Sequence, residues 1–196
     1  MAAMPDDLVP GPESPPTDEL RSAELTLGVL QQVLHTVAGS DKTKQTPCSE
    51  YNVKDLTAHL IRSITSLGGM VGARFEVPQD TESVEQLVVS TARPALDAWH
   101  KHGLDGEVAF GGGSMPARVA VAVFSLEFLV HAWDYARAVG HQVDAPDSLA
   151  DYVLGLAHQV IRPEQRGAAG FDDPVEVADD ADPLTRLIAF TGRNPG

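Results

Sequence analysis

A carboxylate and an imidazole stand four residues apart in an apolar run, Glu127 and His131 within SLEFLVHAW. On an α-helix this spacing stacks them one turn apart on the same face. An ionised carboxylate among Leu126, Phe128, Leu129 and Val130 is costly unless it is paired or bound to a metal. Two converging donors of this kind are how helical bundles build metal sites in their cores. Asp134, three residues further, extends the stripe as a partner that could orient His131. The simpler alternative is a buried Glu–His hydrogen bond with no ion, because E-x-x-x-H recurs often by chance.

A metal needs a third ligand from another helix. Of the seven histidines, His59 in KDLTAHLIRS is the best placed, beside an apolar face with Leu56 one turn before it. Its alternative role is a boundary histidine bonded to Asp55 at i−4. His100 and His102 close a helix at its polar end, His141 follows a helix-ending Gly, and nothing near His35 or His158 recommends them as ligands. Cys48 in QTPCSEYN precedes a helix start, where a lowered thiol pKa is conceivable; the competing reading is a small buried residue in the turn. The chain has no G-x-S-x-G and no paired C-x-x-C, and the GGGS at 111–114 lacks the Lys of a phosphate loop.

These residues must be held by helices, and the periodicity supplies them. Leu20, Ala23, Leu27, Leu30, Leu34 and Val37 alternate spacings of three and four behind Thr17, a predicted N-cap. Asn52 caps a second helix running through Leu56, Leu60, Ile64, Leu67 and Val71, with Tyr51 and Leu56 as a hydrophobic staple. A third helix uses Val84, Leu87, Thr91, Ala95 and Ala98. The fourth runs from about Pro116 to Val139, stops at Gly140, and reads VAVAVFSL over 119–126, apolar on nearly every face. Glu127, His131 and Asp134 interrupt it well short of the ~20 apolar residues of a membrane span. Trp133 and Tyr135 read as core packing turned away from the Glu127/His131 face. A fifth helix places Leu149, Tyr152, Val153, Leu156 and Val160 on one side. A last one has Asp182 as cap, Pro183 first and Gly192 just past its end. Strand signals are limited to Glu107–Phe110 and Pro174–Val177. The expected fold is all-α, a four-helix bundle with extra C-terminal helices and at most short strands.

Composition bounds the partners. The 196 residues carry 14 Lys+Arg against 28 Asp+Glu, a formal net charge of −14. That balance excludes a nucleic-acid binder and disfavours an anionic membrane, since both need basic patches. One cysteine cannot form an internal disulfide. Residues 1–16, with five prolines, read as a mobile tail; 17–196 read as the helical domain, ending in the acidic stretch FDDPVEVADDADP. MAAMPDDLVPGPESPP has no basic and apolar stretches of a signal peptide, which predicts a cytoplasmic protein. Bundles commonly pair through helix faces, which leaves a homodimer open.

Taken together, TPCSEYNVKDLTAHL, EFLVHAWDYARAVG and PLTRLIAFTGRNP resemble the actinobacterial DinB-like proteins related to mycothiol-dependent maleylpyruvate isomerase. The resemblance covers roughly residues 18–196. It departs at Tyr51, where family members typically have Trp, and at Asn194, where they have Asp; neither is a proposed ligand. It implies a four-helix bundle whose divalent metal is held by His59, Glu127 and His131, the residues that burial and spacing also single out. Two imidazoles and a carboxylate leave open coordination positions and suit Zn²⁺ best, with Ni²⁺ or Fe²⁺ as the other choices. In the family the open position accepts a low-molecular-weight thiol such as mycothiol, whose lowered pKa delivers a thiolate to an electrophile. This chain lacks the separate C-terminal domain of the two-domain isomerase. The resemblance therefore favours a thiol transferase or another metal-assisted reaction over maleylpyruvate isomerisation. The alternative is a non-catalytic module that binds a metal or small ligand for sensing, sequestration or assembly.

Overall fold

The computed structural model describes residues 14–48, 50–76, 83–167 and 170–196. The first thirteen residues of the predicted tail lie outside them; of the other three, Pro16 is already buried. Six α-helices form among the described residues: α1 Glu19–Leu34, α2 Val53–Gly69, α3 Val84–His102, α4 Ala117–Val139, α5 Asp147–Val160 and α6 Pro183–Phe190. A two-stranded antiparallel hairpin, β1 Glu107–Phe110 and β2 Gly113–Pro116, separates α3 from α4. The fold is all-α with short strands.

Local chemistry fixes most helix ends. Asn52 Oδ1 accepts from the Asp55 amide, Ser83 and Gln86 form a reciprocal capping box, and Asp182 caps α6 ahead of Pro183. The first cap is Asp18, whose carboxylate accepts from the Arg21 amide at 2.8 Å, and not the preceding Thr17. Both residue types suit the position, but the helix begins one residue later than Thr17 requires. α4 stops at Gly140, whose φ of 80° is left-handed.

The apolar seams bury as their spacing demands. α1 packs along α4 and against α3, α2 against α3 and α4, and α5 between α4 and α6. α4 is the central element. Ala120, Val121, Phe124, Leu126, Phe128 and Leu129 are buried on all its sides. Among the described residues it alone is long and apolar enough to cross a membrane, and 83% of that stretch lies inside the protein. Trp133 and Tyr135 lie in the core as expected, the Tyr135 hydroxyl within 2.9 Å of the Thr57 hydroxyl on α2.

Strand expectations hold for β1 alone. Its partner is Gly113–Pro116, drawn from the glycine-rich loop. Among the described residues no strand forms at the expected Pro174–Val177; there the Val175 N–H donates to the Ala189 carbonyl. Among the described residues no strand lies beside it; the segment bonds to the last turn of α6, and a helix offers no ladder to pair with.

Candidate metal centre

His59 projects from α2; Glu127 and His131 project from α4. The loop before α2 is closed by main-chain bonds, with Tyr51 N–H to the Cys48 carbonyl and Val53 N–H to the Lys44 carbonyl. This closure brings Tyr51 over the His59 ring, stacked at 5.2 Å between centroids and 29° between planes. The two histidine rings meet edge to face at 5.3 Å.

The donor atoms converge. Glu127 Oε2 lies 3.4 Å from His59 Nε2 and 3.3 Å from His131 Nε2, and all three ligand atoms lie within 4.8 Å of one another. Oε2 is shielded from solvent yet has no hydrogen-bond partner. Both contacts are longer than the 2.7–3.2 Å typical of an N–H···O bond. These two of the three donor separations lie close to the roughly 3.3–3.4 Å edge between neighbouring ligands of a tetrahedral ion at about 2.0–2.1 Å from each. An orphaned buried carboxylate oxygen flanked by two imidazole nitrogens at that spacing fits a divalent cation.

The far side of His131 is fully bonded. Its Nδ1 lies 2.9 Å from Asp134 Oδ2, and Asp134, completely buried, also accepts from Arg193 Nε and Nη2 at 2.8 Å each. A carboxylate with no proton can only accept, so Nδ1 keeps a hydrogen in either protonation state, and Nε2, which faces Glu127, is the nitrogen that can lose its proton and ligate an ion. The charges reinforce one another. Burial pushes the Glu127 carboxyl up, but the adjacent His131 and His59 imidazoles outweigh it and hold it below the usual carboxylate range. Burial likewise works against charge on His131, yet Asp134 and Glu127 raise its pKa to about 9 in the metal-free protein. Asp134 is held down by His131 and Arg193 despite its burial.

A cavity of about 250 Å³ opens beside the three donors. Val123, Leu126, Val130, Val160 and Phe171 give it apolar walls, and Cys48, Glu50 and Arg193 line its other side. The arrangement can hold an ion with part of its coordination sphere facing a small, mostly apolar chamber.

His59, Glu127 and His131 are thus brought together, and Asp134 takes the orienting role proposed for it. Asp55 does not: its side chain is exposed, its amide serves only the helix cap, and His59 turns to Tyr51 and Glu127 instead. Cys48 is half-buried in the cavity wall, and burial pushes its thiol pKa up, so the lowered value conceivable at a helix start is not found. His35 and His100 pair with Glu85 and Glu24 at the surface. Arg193 is the residue that sequence reading left without a role. Its signal was the Gly-Arg pair after α6: Gly192, at φ 86°, sits where a Cβ would come within 2.6 Å of the Asp172 Cβ, and this tight turn directs Arg193 to Asp134.

No family model matches the chain, and no solved structure matches it. Two curated proteins of Mycobacterium tuberculosis are similar to it, Uncharacterized protein Rv0738 of strain ATCC 25618 / H37Rv and Uncharacterized protein MT0763 of strain CDC 1551 / Oshkosh. Each is 25% identical over 178 residues, which span 90% of this chain and 98% of the relative.

Proposed function

We propose that this chain is a DinB-like protein of the group that includes mycothiol-dependent maleylpyruvate isomerase. In this reading His59, Glu127 and His131 hold one divalent cation, zinc by donor type, and the protein activates a low-molecular-weight thiol such as mycothiol for transfer to an electrophile or for isomerisation. The observation that carries the reading is Glu127 Oε2, shielded and without a hydrogen bond, between two imidazole nitrogens beside a cavity.

A bound divalent ion supplies Lewis acidity, which lowers the pKa of a thiol at an open position. The chain's own residues do the rest. Asp134 fixes the His131 tautomer, and Arg193 fixes Asp134. Tyr51 holds the His59 ring in plane. Val123, Leu126 and Val130 keep water from one side of the chamber, which strengthens every charge interaction within it.

A non-catalytic binding module is the second reading, favoured by one observation. Asp134 is occupied by His131 and Arg193, and Asp55 lies outside the cluster, so neither offers a free general base. Elemental analysis of protein purified without chelator tests the shared premise: one divalent ion per chain is expected, lost in His59→Ala and Glu127→Ala. A thiol-consumption assay over a panel of electrophiles separates the two readings. Thiol binding without consumption sinks the enzymatic one.

A further inference from the structure

A groove of about 460 Å³ lies between residues 24–32 of α1 and the start of α5, with Leu25, Val29 and Leu149 among its walls. Ser14 lines it too. Ser14 precedes the Asp18 cap in sequence, yet it shares this groove with side chains from the middle of α1, so the chain ahead of the helix folds back along it. Two features of the groove call for an occupant. Gly28 stands in the interior of α1, where glycine weakens a helix, and a Cβ there would meet no atom within 4 Å. The chain's described packing gives no reason for a glycine at this position, which bares the helix backbone to close approach by another segment. The Ser148 hydroxyl, also in the groove wall, is shielded from solvent and has no hydrogen-bond partner among the described residues. A shielded hydroxyl left so is costly, and a main-chain group arriving in the groove would satisfy it.

Upstream of Ser14 the sequence holds Leu8, Val9, Pro10, Gly11 and Pro12, an uncharged run bracketed by Asp7 and Glu13. In a polyproline conformation this run spans about 15 Å at ~3.1 Å per residue. Residues 24–32 of α1 span about 12 Å at ~1.5 Å per residue, so the run fits the groove and both flanking charges fall beyond its ends. Pro10 and Pro12 have no N–H, so the run offers mainly carbonyls, which suit a hydroxyl donor. We infer that residues 8–12 dock back into the α1/α5 groove, with a main-chain carbonyl on Ser148 Oγ and the chain lying close over Gly28. Proline content alone suggests a mobile tail; a groove of this length holds part of it. The tether favours this segment over a second copy of the chain, because it raises the local concentration to about the millimolar range, whereas a second copy brings a further charge of −14. The docking is independent of the metal centre.

The test is ¹⁵N relaxation on the full chain. Backbone order parameters of Leu8, Val9 and Gly11 are expected to approach the value of about 0.85 typical of rigid backbone, while those of Ala2 and Ala3 stay below about 0.6. Gly28→Leu fills the groove from the α1 side and should release residues 8–12 to the level of Ala2, without loss of helix content, because leucine suits a helix better than glycine. Val9→Asp attacks the same contact from the other partner and should release the segment while leaving the helical domain untouched. Order parameters at Leu8, Val9 and Gly11 as low as those of Ala2 in the wild-type chain overturn the docking. So does a segment that is ordered but unmoved by both variants, which would place it elsewhere on the surface. Concentration-dependent shifts of the Leu25, Val29 and Leu149 methyls, unaffected by Val9→Asp, overturn it as well and assign the groove to a second copy. The metal reading stands under every one of these outcomes.

Discussion

Two carboxylates on one helix are buried two turns apart and live in opposite circumstances. Asp134 accepts from His131 and twice from Arg193, so both its oxygens are satisfied. Glu127 is less enclosed, at 17% side-chain exposure, and its shielded Oε2 makes no hydrogen bond, with two imidazole nitrogens standing 3.3 and 3.4 Å away. The first is a finished structural network; the second is a set of donors that converge and could hold an ion. Burial alone therefore does not mark function. The shortfall in bonding does.

The contrast predicts different losses at the two positions. Asp134→Ala leaves a buried guanidinium unpaired and should cost about 3–5 kcal/mol of stability in chemical denaturation. An Asp134→Ala/Arg193→Met double variant should recover much of it. A loss under about 1 kcal/mol for the single variant contradicts the picture of a finished network. Glu127→Gln should cost the metal-free protein less than Asp134→Ala does, because the carboxylate it removes makes two long contacts, to His59 and His131, and no hydrogen bond from Oε2. Zinc at a hundredfold excess over Kd should stabilise wild type by about 2.7 kcal/mol and leave Glu127→Gln unmoved, which thermal shifts with and without chelator read directly.

Acidity separates the two ends next. His131 is raised to about 9 from an ordinary 6.5, so its contribution to metal-free stability is complete below pH 6.5 and is lost as pH rises through 9. Glu127 and Asp134 are depressed, so theirs is present above the ordinary carboxylate range and lost as pH falls through and below it. Melting temperatures of metal-free protein should therefore fall between pH 6.5 and 9, and His131→Gln should flatten that fall. Zinc needs a deprotonated Nε2, so its stabilisation should grow over the same interval. A zinc effect that ignores pH would remove His131 from the ligand set. Last and smallest, Cys48→Ser should change stability by less than about 0.5 kcal/mol and leave zinc stoichiometry at one, since the thiol lies outside the donor cluster.

What the sequence made legible was whatever one segment decides by itself. Leu20 to Leu34 and Leu56 to Leu67 carry a helical period, Asp182 with Pro183 starts α6, and Gly140 ends α4; each is a local choice realised as spaced. Glu127 and His131 were visible because their offence against the apolar pattern is also local. Arg193 was not, because its partner lies 59 residues earlier and no period links them. The Pro174–Val177 expectation failed for a related reason: β-propensity does not supply a neighbouring strand, which only the tertiary arrangement could provide. Asp55 failed because an i−4 relation makes contact available without making it preferred over Tyr51 and Glu127.

Gly192 gives the site an unusual dependence. A methyl group there would intrude on Asp172, and the left-handed backbone at that position is one that other residues adopt only under strain. The next residue is the one that clamps Asp134, and Asp134 decides which nitrogen of His131 bears its hydrogen. The proton inventory of an imidazole on α4 is thus set by the room for one hydrogen atom near the carboxyl terminus. Heredity would register that as intolerance at a position that touches no ligand.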